Sequence, residues 1–84
     1  MELKSFFEGY EKLKPGKRTM LRSTSLALRR NGIDTMEKLA AMYEKNPQAL
    51  VAVRDIGPGR LRLIGTLVRD YEVMLKNRGP EAGD

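Results

Sequence analysis

The stretch Arg54-Asp55-Ile56-Gly57-Pro58-Gly59-Arg60-Leu61 decides how this chain reads. It follows a short apolar segment (Leu50, Val51, Val53) and opens a long apolar-periodic one (Leu61, Leu63, Ile64, Leu67, Val68). An apolar residue, then Gly-Pro-Gly, then a basic residue at a helix start is the pattern of two helices joined by a tight hairpin. Gly57 and Gly59 permit positive φ and leave no Cβ between the backbone and a ligand. Pro58 fixes one φ of the turn. A helix starting near Arg60 aims its first N–H groups and the positive end of its dipole outward, which makes an anion site. With Arg54, Arg60 and Arg62 beside it, the expected anion is a nucleic-acid phosphate. Gly-Pro-Gly is also the chemistry of a plain connection between helices, so the surrounding charge has to carry the phosphate reading.

The charge does so. The chain has 84 residues and a net charge of +5, unevenly spread. From Lys12 to Ile33 there are seven basic residues (Lys12, Lys14, Lys17, Arg18, Arg22, Arg29, Arg30) and no acid, so the remainder sums to −2. Such asymmetry points to a polyanionic partner; the bland alternative is a solvated basic face that only aids solubility. The length allows one domain, which buries only ~60% of its unfolded surface and needs nearly every apolar stripe for its core. Cys and His are both absent. That excludes disulfides, a Cys-based zinc site, a thiol nucleophile and an imidazole base. No signal-peptide pattern is present and the apolar runs are too short to span a bilayer. The expectation is a soluble, cytoplasmic protein with no membrane partner, metal, cofactor or small-molecule substrate.

Apolar spacing is helical throughout. Residues 2–13 place Leu3, Phe6, Phe7, Tyr10 and Leu13 on one arc, and Pro15-Gly16 ends that helix. Thr19 can cap a second helix running to Arg30, with Asn31-Gly32 as its stop. Its core side holds Met20, Leu21, Thr24, Ala27 and Leu28; Leu26 falls on the basic side and is expected to pack under the first helix. Asp34 and Glu37 read as a capping box for a third helix over 35–45. Asn46-Pro47 starts a short fourth helix over 47–53. The fifth runs over 59–78 with a stripe of Leu61, Ile64, Val68, Tyr71 and Leu75, and Gly79-Pro80 closes it. Gly65, in mid-helix, implies close approach of a neighbouring helix. Met20, Met36, Met42 and Met74 read as core filler, and Tyr43 and Tyr71 as core. The aromatic face of the first helix must be covered, by the domain or by a partner. The domain so drawn spans 1–79, with the helix of 1–14 added to a core of 19–79, and 80–84 as a flexible tail.

From about Met20 to Val68, somewhat over half the chain, this order resembles the C-terminal domain of the bacterial RNA polymerase α subunit. The carriers are Leu21-Arg22-Ser23, opening a helix that ends in Asn31-Gly32-Ile33-Asp34-Thr35, then Met36-Glu37-Lys38-Leu39, and finally Val53-Arg54-Asp55-Ile56-Gly57. The family segments read Val-Arg-Ser, Gly-Ile-x-Thr, an acidic-Leu helix, and Arg-Asn-Leu-Gly-Lys-Lys-Ser. The resemblance implies an all-α, SAM-like bundle of about five short helices containing a helix-hairpin-helix. It further implies minor-groove DNA binding and contacts with RNA polymerase or a transcription factor. The family's groove-inserting arginine matches Arg22 with one inserted residue and Ser23 without it. A family asparagine falls on Leu26, or on Ala27 or Ser25 with other gaps. The hairpin asparagine matches Asp55, the glycine Gly57, and the lysine and serine that follow match Gly59 and Arg60. Pro58-Gly59 departs from the family and resembles instead the broader helix-hairpin-helix proteins of DNA repair and replication, whose hairpins hold backbone without reading sequence.

Together these point to a non-enzymatic DNA-binding module linked to transcription. Its expected contacts are Lys17, Arg18, Arg22, Ser23, Arg54, Ile56, Gly57, Gly59, Arg60 and Arg62. A protein-interaction adaptor, binding a partner through the aromatic first helix and Leu26, is the alternative. No nucleophile–base pair, carboxylate dyad or metal cluster is legible, so no catalytic residue is expected.

Overall fold

The computed structural model describes residues 1–53 and 56–83, with side chains through 77. Five α-helices follow in order: α1 (Leu3–Leu13), α2 (Arg18–Arg30), α3 (Met36–Lys45), α4 (Pro47–Val51) and α5 (Pro58–Gly83). A 3₁₀ turn, Pro15–Lys17, joins α1 to α2. Among the described residues the only extended pairing is a single bridge between Glu2 and Thr35. The protein is all-α.

Local chemistry accounts for most boundaries, though not always through the expected residue. α2 ends in a glycine motif: Gly32 takes φ 84°, Ile33 N–H donates to Leu28 O at 3.0 Å, and Gly32 N–H to Arg29 O at 3.1 Å. Those are the paired bonds of a Schellman stop, and the apolar partners Leu28 and Ile33 are both buried behind it. Thr19 does not cap α2; the helix starts at Arg18 directly from the 3₁₀ turn, with Lys17 at the cap position and no side-chain cap bond. Continuity with that turn replaces the cap. For α3 the capping residue is Thr35, whose hydroxyl accepts from Lys38 N–H at 3.1 Å. Asp34 pairs instead with the Lys38 ammonium at 3.1 Å, which holds its carboxyl below the ordinary value. Pro47 and Pro58 each occupy the first position of their helices, where no amide is needed. α5 therefore begins at Pro58, one residue earlier than expected, and it continues past Gly79-Pro80 to Gly83. Pro80 removes one ladder donor, a loss confined to one turn.

One core joins all five helices. It includes Leu3, Phe7 and Tyr10 of α1, Leu21 and Leu28 of α2, Met36 and Leu39 of α3, Leu50 of α4, and Ile64, Leu67 and Tyr71 of α5. The aromatic face of α1 is thus covered by its own domain, and Phe6 meets Tyr71 edge-on at a centroid distance of 5.8 Å. The α1 strut is also tied through backbone, with Leu3 N–H on Asp34 O at 3.0 Å and Met36 N–H on Met1 O at 2.9 Å. Some expected core positions face solvent. Leu13, Met20, Leu26 and Leu75 are all exposed. Leu13 and Leu75 continue their stripes one step beyond the edge of the core. Met20 and Leu26 lie on flanks of α2 and stay exposed; Leu26 borders a concavity with Lys4, Phe7 and Glu8 of α1, so it lies at the edge of that helix rather than beneath it.

Gly65 has the close neighbour its position implied, but that neighbour is a side chain. A Cβ there would fall on the Tyr43 hydroxyl, with Tyr43 Cζ at 3.0 Å. Tyr43 itself is half-buried. Replacing Gly65 by Ala should stabilise an exposed helix by roughly 1 kcal/mol. Here the displaced tyrosine offsets that gain. Gly65→Ala is expected to leave the unfolding free energy from urea titration unchanged or lower it, whereas in a Tyr43→Leu background the same change raises it by about 1 kcal/mol.

Glu37 lies at the start of α3 and links three segments. It accepts the Met1 ammonium at 2.8 and 2.9 Å and the Tyr71 hydroxyl in a short bond, so it does not close a capping box. The ammonium first, and then the hydroxyl, lowers its carboxyl from 4.5 to about 2. Burial, and then this carboxylate, pushes Tyr71 up to about 12. A carboxyl held low in the folded state binds its proton more weakly there than when unfolded. Its contribution is therefore complete above its unfolded value and disappears as pH falls toward 2. Glu37 is exposed, so solvent screens the effect and keeps it small. Glu37→Gln is expected to flatten the acid limb of a stability–pH profile, through a small loss of stability at neutrality that vanishes as pH falls toward 2.

Candidate nucleic-acid interface

Where α1, the 3₁₀ turn and α2 meet, they face the first turns of α5 across a concavity of about 340 Å³. Its walls carry Lys14, Lys17 and Met20 on one side and Gly59, Arg62 and Thr66 on the other, with no acidic residue among those lining it. Arg62 also lines a neighbouring concavity of about 390 Å³, with Thr66, Arg69 and Glu72. Arg62, Thr66 and Arg69 follow one another at helical spacing along α5. Among the described residues no ion pair engages Lys14, Lys17, Arg62 or Arg69. Lys14, Lys17 and Arg62 border the N-terminus of α5, whose first-turn N–H groups lack intrahelical partners and carry positive partial charge; Arg69 lies further along the helix. The arrangement can hold anions by charge and by backbone donation together.

The ten expected contacts do not all gather there. Lys17, Gly59 and Arg62 do. Gly57 lies at the mouth of α5, where its carbonyl accepts Leu61 N–H at 2.9 Å. Neither Gly57 nor Gly59 uses positive φ; Gly32 alone does among the described glycines. Their use is space rather than conformation, because a Cβ at either position would meet nothing within 4 Å. Ile56 is 4% exposed and belongs to the core. It cannot touch a ligand; the apolar residue before the glycine anchors the turn. Ser23 is half-buried, and its hydroxyl donates to Met20 O at 3.2 Å. Arg60 is half-buried and engaged with another group of the chain. Arg54 and Asp55 lie outside the described residues.

Arg18 and Arg22 turn elsewhere. Glu11, buried on α1, accepts from Arg22 Nε at 3.0 Å, and Arg18 Nε stands 3.7 Å from the same oxygen. Both arginines line a separate concavity with Glu8, Glu11 and Lys12. The run from Lys12 to Ile33 has no acid in sequence, yet the fold brings one to it from the residue just before. Conversely, Lys14, Thr66 and Arg69 belong to the basic wall and were not among the expected contacts. Thr66 and Arg69 follow Arg62 by four and seven residues, so helical spacing alone could have found them.

Among the described residues no cluster of three or more metal-ligating side chains occurs, and no helix is long and apolar enough to cross a membrane. Comparison of the chain with protein-family models, curated proteins and solved structures finds no match.

Proposed function

We propose that the protein is a non-enzymatic DNA-binding module that holds duplex backbone in the groove between the 3₁₀ turn and α5. The observation that carries this reading is the acid-free convergence of Lys14, Lys17 and Arg62 on the first turn of α5. One phosphate sits at the Gly57–Gly59 mouth of α5, and the cations take its neighbours along the strand. In this reading α4, the glycine turn and α5 act as a helix-hairpin-helix, and the resemblance to the RNA polymerase α C-terminal domain supports a transcription-linked role beside polymerase or a transcription factor. Arg22, the residue matching the family's groove-reading arginine, is paired to Glu11. Binding is therefore of backbone, with modest sequence preference.

Four neutralised phosphates, one each for Lys14, Lys17, Arg62 and Arg69, give a log K against log salt slope of about −3 to −4. Affinity for a single copy is on the order of micromolar or weaker at physiological salt. The test is titration with an A·T-rich and a G·C-rich duplex at two salt concentrations, followed by amide NMR. Salt-sensitive shifts confined to residues 14–20 and 57–69, similar for both duplexes, are expected. Absence of shifts at low salt would sink the proposal. A preference for one duplex of a hundredfold or more would replace backbone binding with base reading.

A further inference from the structure

Beside the phosphate groove, α5 borders the second concavity, of about 390 Å³, lined by Tyr43 of α3 and by Arg62, Gly65, Thr66, Arg69 and Glu72 of α5. Arg62 and Thr66 are common to the two spaces, whose chemistry differs. The phosphate groove is lined without an acid, and its one aromatic side chain, Tyr10, is buried. Its neighbour carries a carboxylate, Glu72, and the half-buried ring of Tyr43. A carboxylate only accepts hydrogen bonds, so Glu72 repels a phosphate and suits the amino group of a base. Tyr43 rests on Gly65, where a Cβ would stand 3.0 Å from its Cζ. A glycine in mid-helix weakens the helix; what it gains here is room for an aromatic ring in the same concavity as two arginines. Arg62 and Arg69 are two turns apart on α5, about 10 Å, and among the described residues neither is in an ion pair. A strand with phosphates at both crosses the concavity.

We infer, on the reading that the phosphate groove holds nucleic-acid backbone, that this concavity receives one unpaired base of the strand lying in that groove. The base stacks on the open part of the Tyr43 ring, its amino group donates to Glu72, and Arg62 and Arg69 hold the phosphates on either side. Stacking on an aromatic side chain adds affinity without close reading of sequence, because every base has a π-face. Bases inside a duplex are out of reach. The favoured ligand is therefore a duplex that ends in a single-stranded extension, with paired backbone in the groove and the first unpaired base beside Tyr43.

Three ligands built on one duplex test this by fluorescence anisotropy at low and moderate salt: the blunt duplex, the duplex extended by three adenine nucleotides, and the duplex extended by three abasic ones. The extension is placed at the 3′ end and, separately, at the 5′ end. Phosphate number is equal in the adenine and abasic ligands, so their difference reports the base alone. In at least one polarity the adenine ligand is expected to bind about tenfold tighter than its abasic counterpart, with amide NMR shifts at Tyr43 and Glu72 that the blunt duplex does not cause. Tyr43→Leu should abolish that difference and Tyr43→Phe retain it, both keeping the wild-type affinity and salt slope for the blunt duplex; circular dichroism checks their folding, and the wild-type shifts need no variant. Equal affinity for adenine and abasic ligands, with the blunt duplex still bound in a salt-sensitive way, overturns the inference and leaves the backbone reading standing. A base preference undiminished in Tyr43→Leu overturns it as well. Absence of salt-sensitive binding to all three ligands removes the phosphate groove, and the base site with it.

Discussion

Phe7→Ala is expected to cost about 3–5 kcal/mol, the range for removing a fully buried phenylalanine. A chain of this length has roughly 4–12 kcal/mol in total. The variant should therefore lose roughly a quarter or more of the total stability, read as a proportional fall in the urea midpoint by circular dichroism. The expectation rests on where the side chain lies. Phe7 is 1% exposed and shares one core with Leu21, Leu28 and Ile64, so the gap opens at the centre of the domain. Leu13→Ala, on the same helix but largely exposed, is the matched control and should change stability by less than about 0.5 kcal/mol. The contrast decides whether α1 is an accessory. An α1 merely added to a core of 19–79 would let residues 15–84 fold alone and would make Phe7→Ala mild. α1 gives Leu3, Phe7 and Tyr10 to the shared core and is bonded to Asp34 and Arg22, so removal of 1–14 is expected to leave an unfolded chain.

The helices were legible because their signals are local. Apolar spacing, the N1 proline Pro47 and the Asn31-Gly32 stop depend only on neighbours in sequence, and each occurs where its chemistry predicts. Errors arose where the partner came from elsewhere. Asp34 and Glu37 have the spacing of a capping box, yet Thr35 has the extended backbone of a cap (φ −128°, ψ 154°), and Glu37 is drawn off by the chain terminus and Tyr71. Periodicity shows which side of a helix is apolar but not how far along it the core extends, so the stripes include Leu13 and Leu75 although the core stops short of them. The basic groove shows the same limit in electrostatics. A count of charges from Lys12 to Ile33 cannot tell that α1 carries Glu11 against Arg18 and Arg22, while the 3₁₀ turn sends Lys17 to α5. Both outcomes follow from how the turn at Pro15–Lys17 sets α1 against α2; Pro15-Gly16 marks the break in sequence, but not the direction in which the chain leaves it.

Lys17→Gln with Arg62→Gln is expected to weaken duplex binding about 30-fold at low salt, near 1 kcal/mol for each lost phosphate contact. The salt slope should fall by about two, one for each cation removed. The two residues come from opposite walls of the same concavity, so the pair removes one strand-facing charge from each side and leaves the core untouched. Total charge is the competing explanation, because any loss of two cations weakens attraction to a polyanion. Lys12→Gln with Arg18→Gln answers it. That variant loses the same two charges from the concavity beside Glu11 and keeps the Arg22–Glu11 contact. If binding is local to the groove, the control loses less than about threefold and keeps most of its salt slope. Equal losses in the two variants would mean that charge alone attracts the duplex and that the groove has no special part. The reverse order, with the Lys12/Arg18 variant the weaker, would move the interface to the face shared by α1 and α2, where Arg22 would have to leave Glu11 to reach a phosphate. Fluorescence anisotropy on one labelled duplex, at several salt concentrations, separates these cases because each fixes both a ratio of affinities and a difference of slopes.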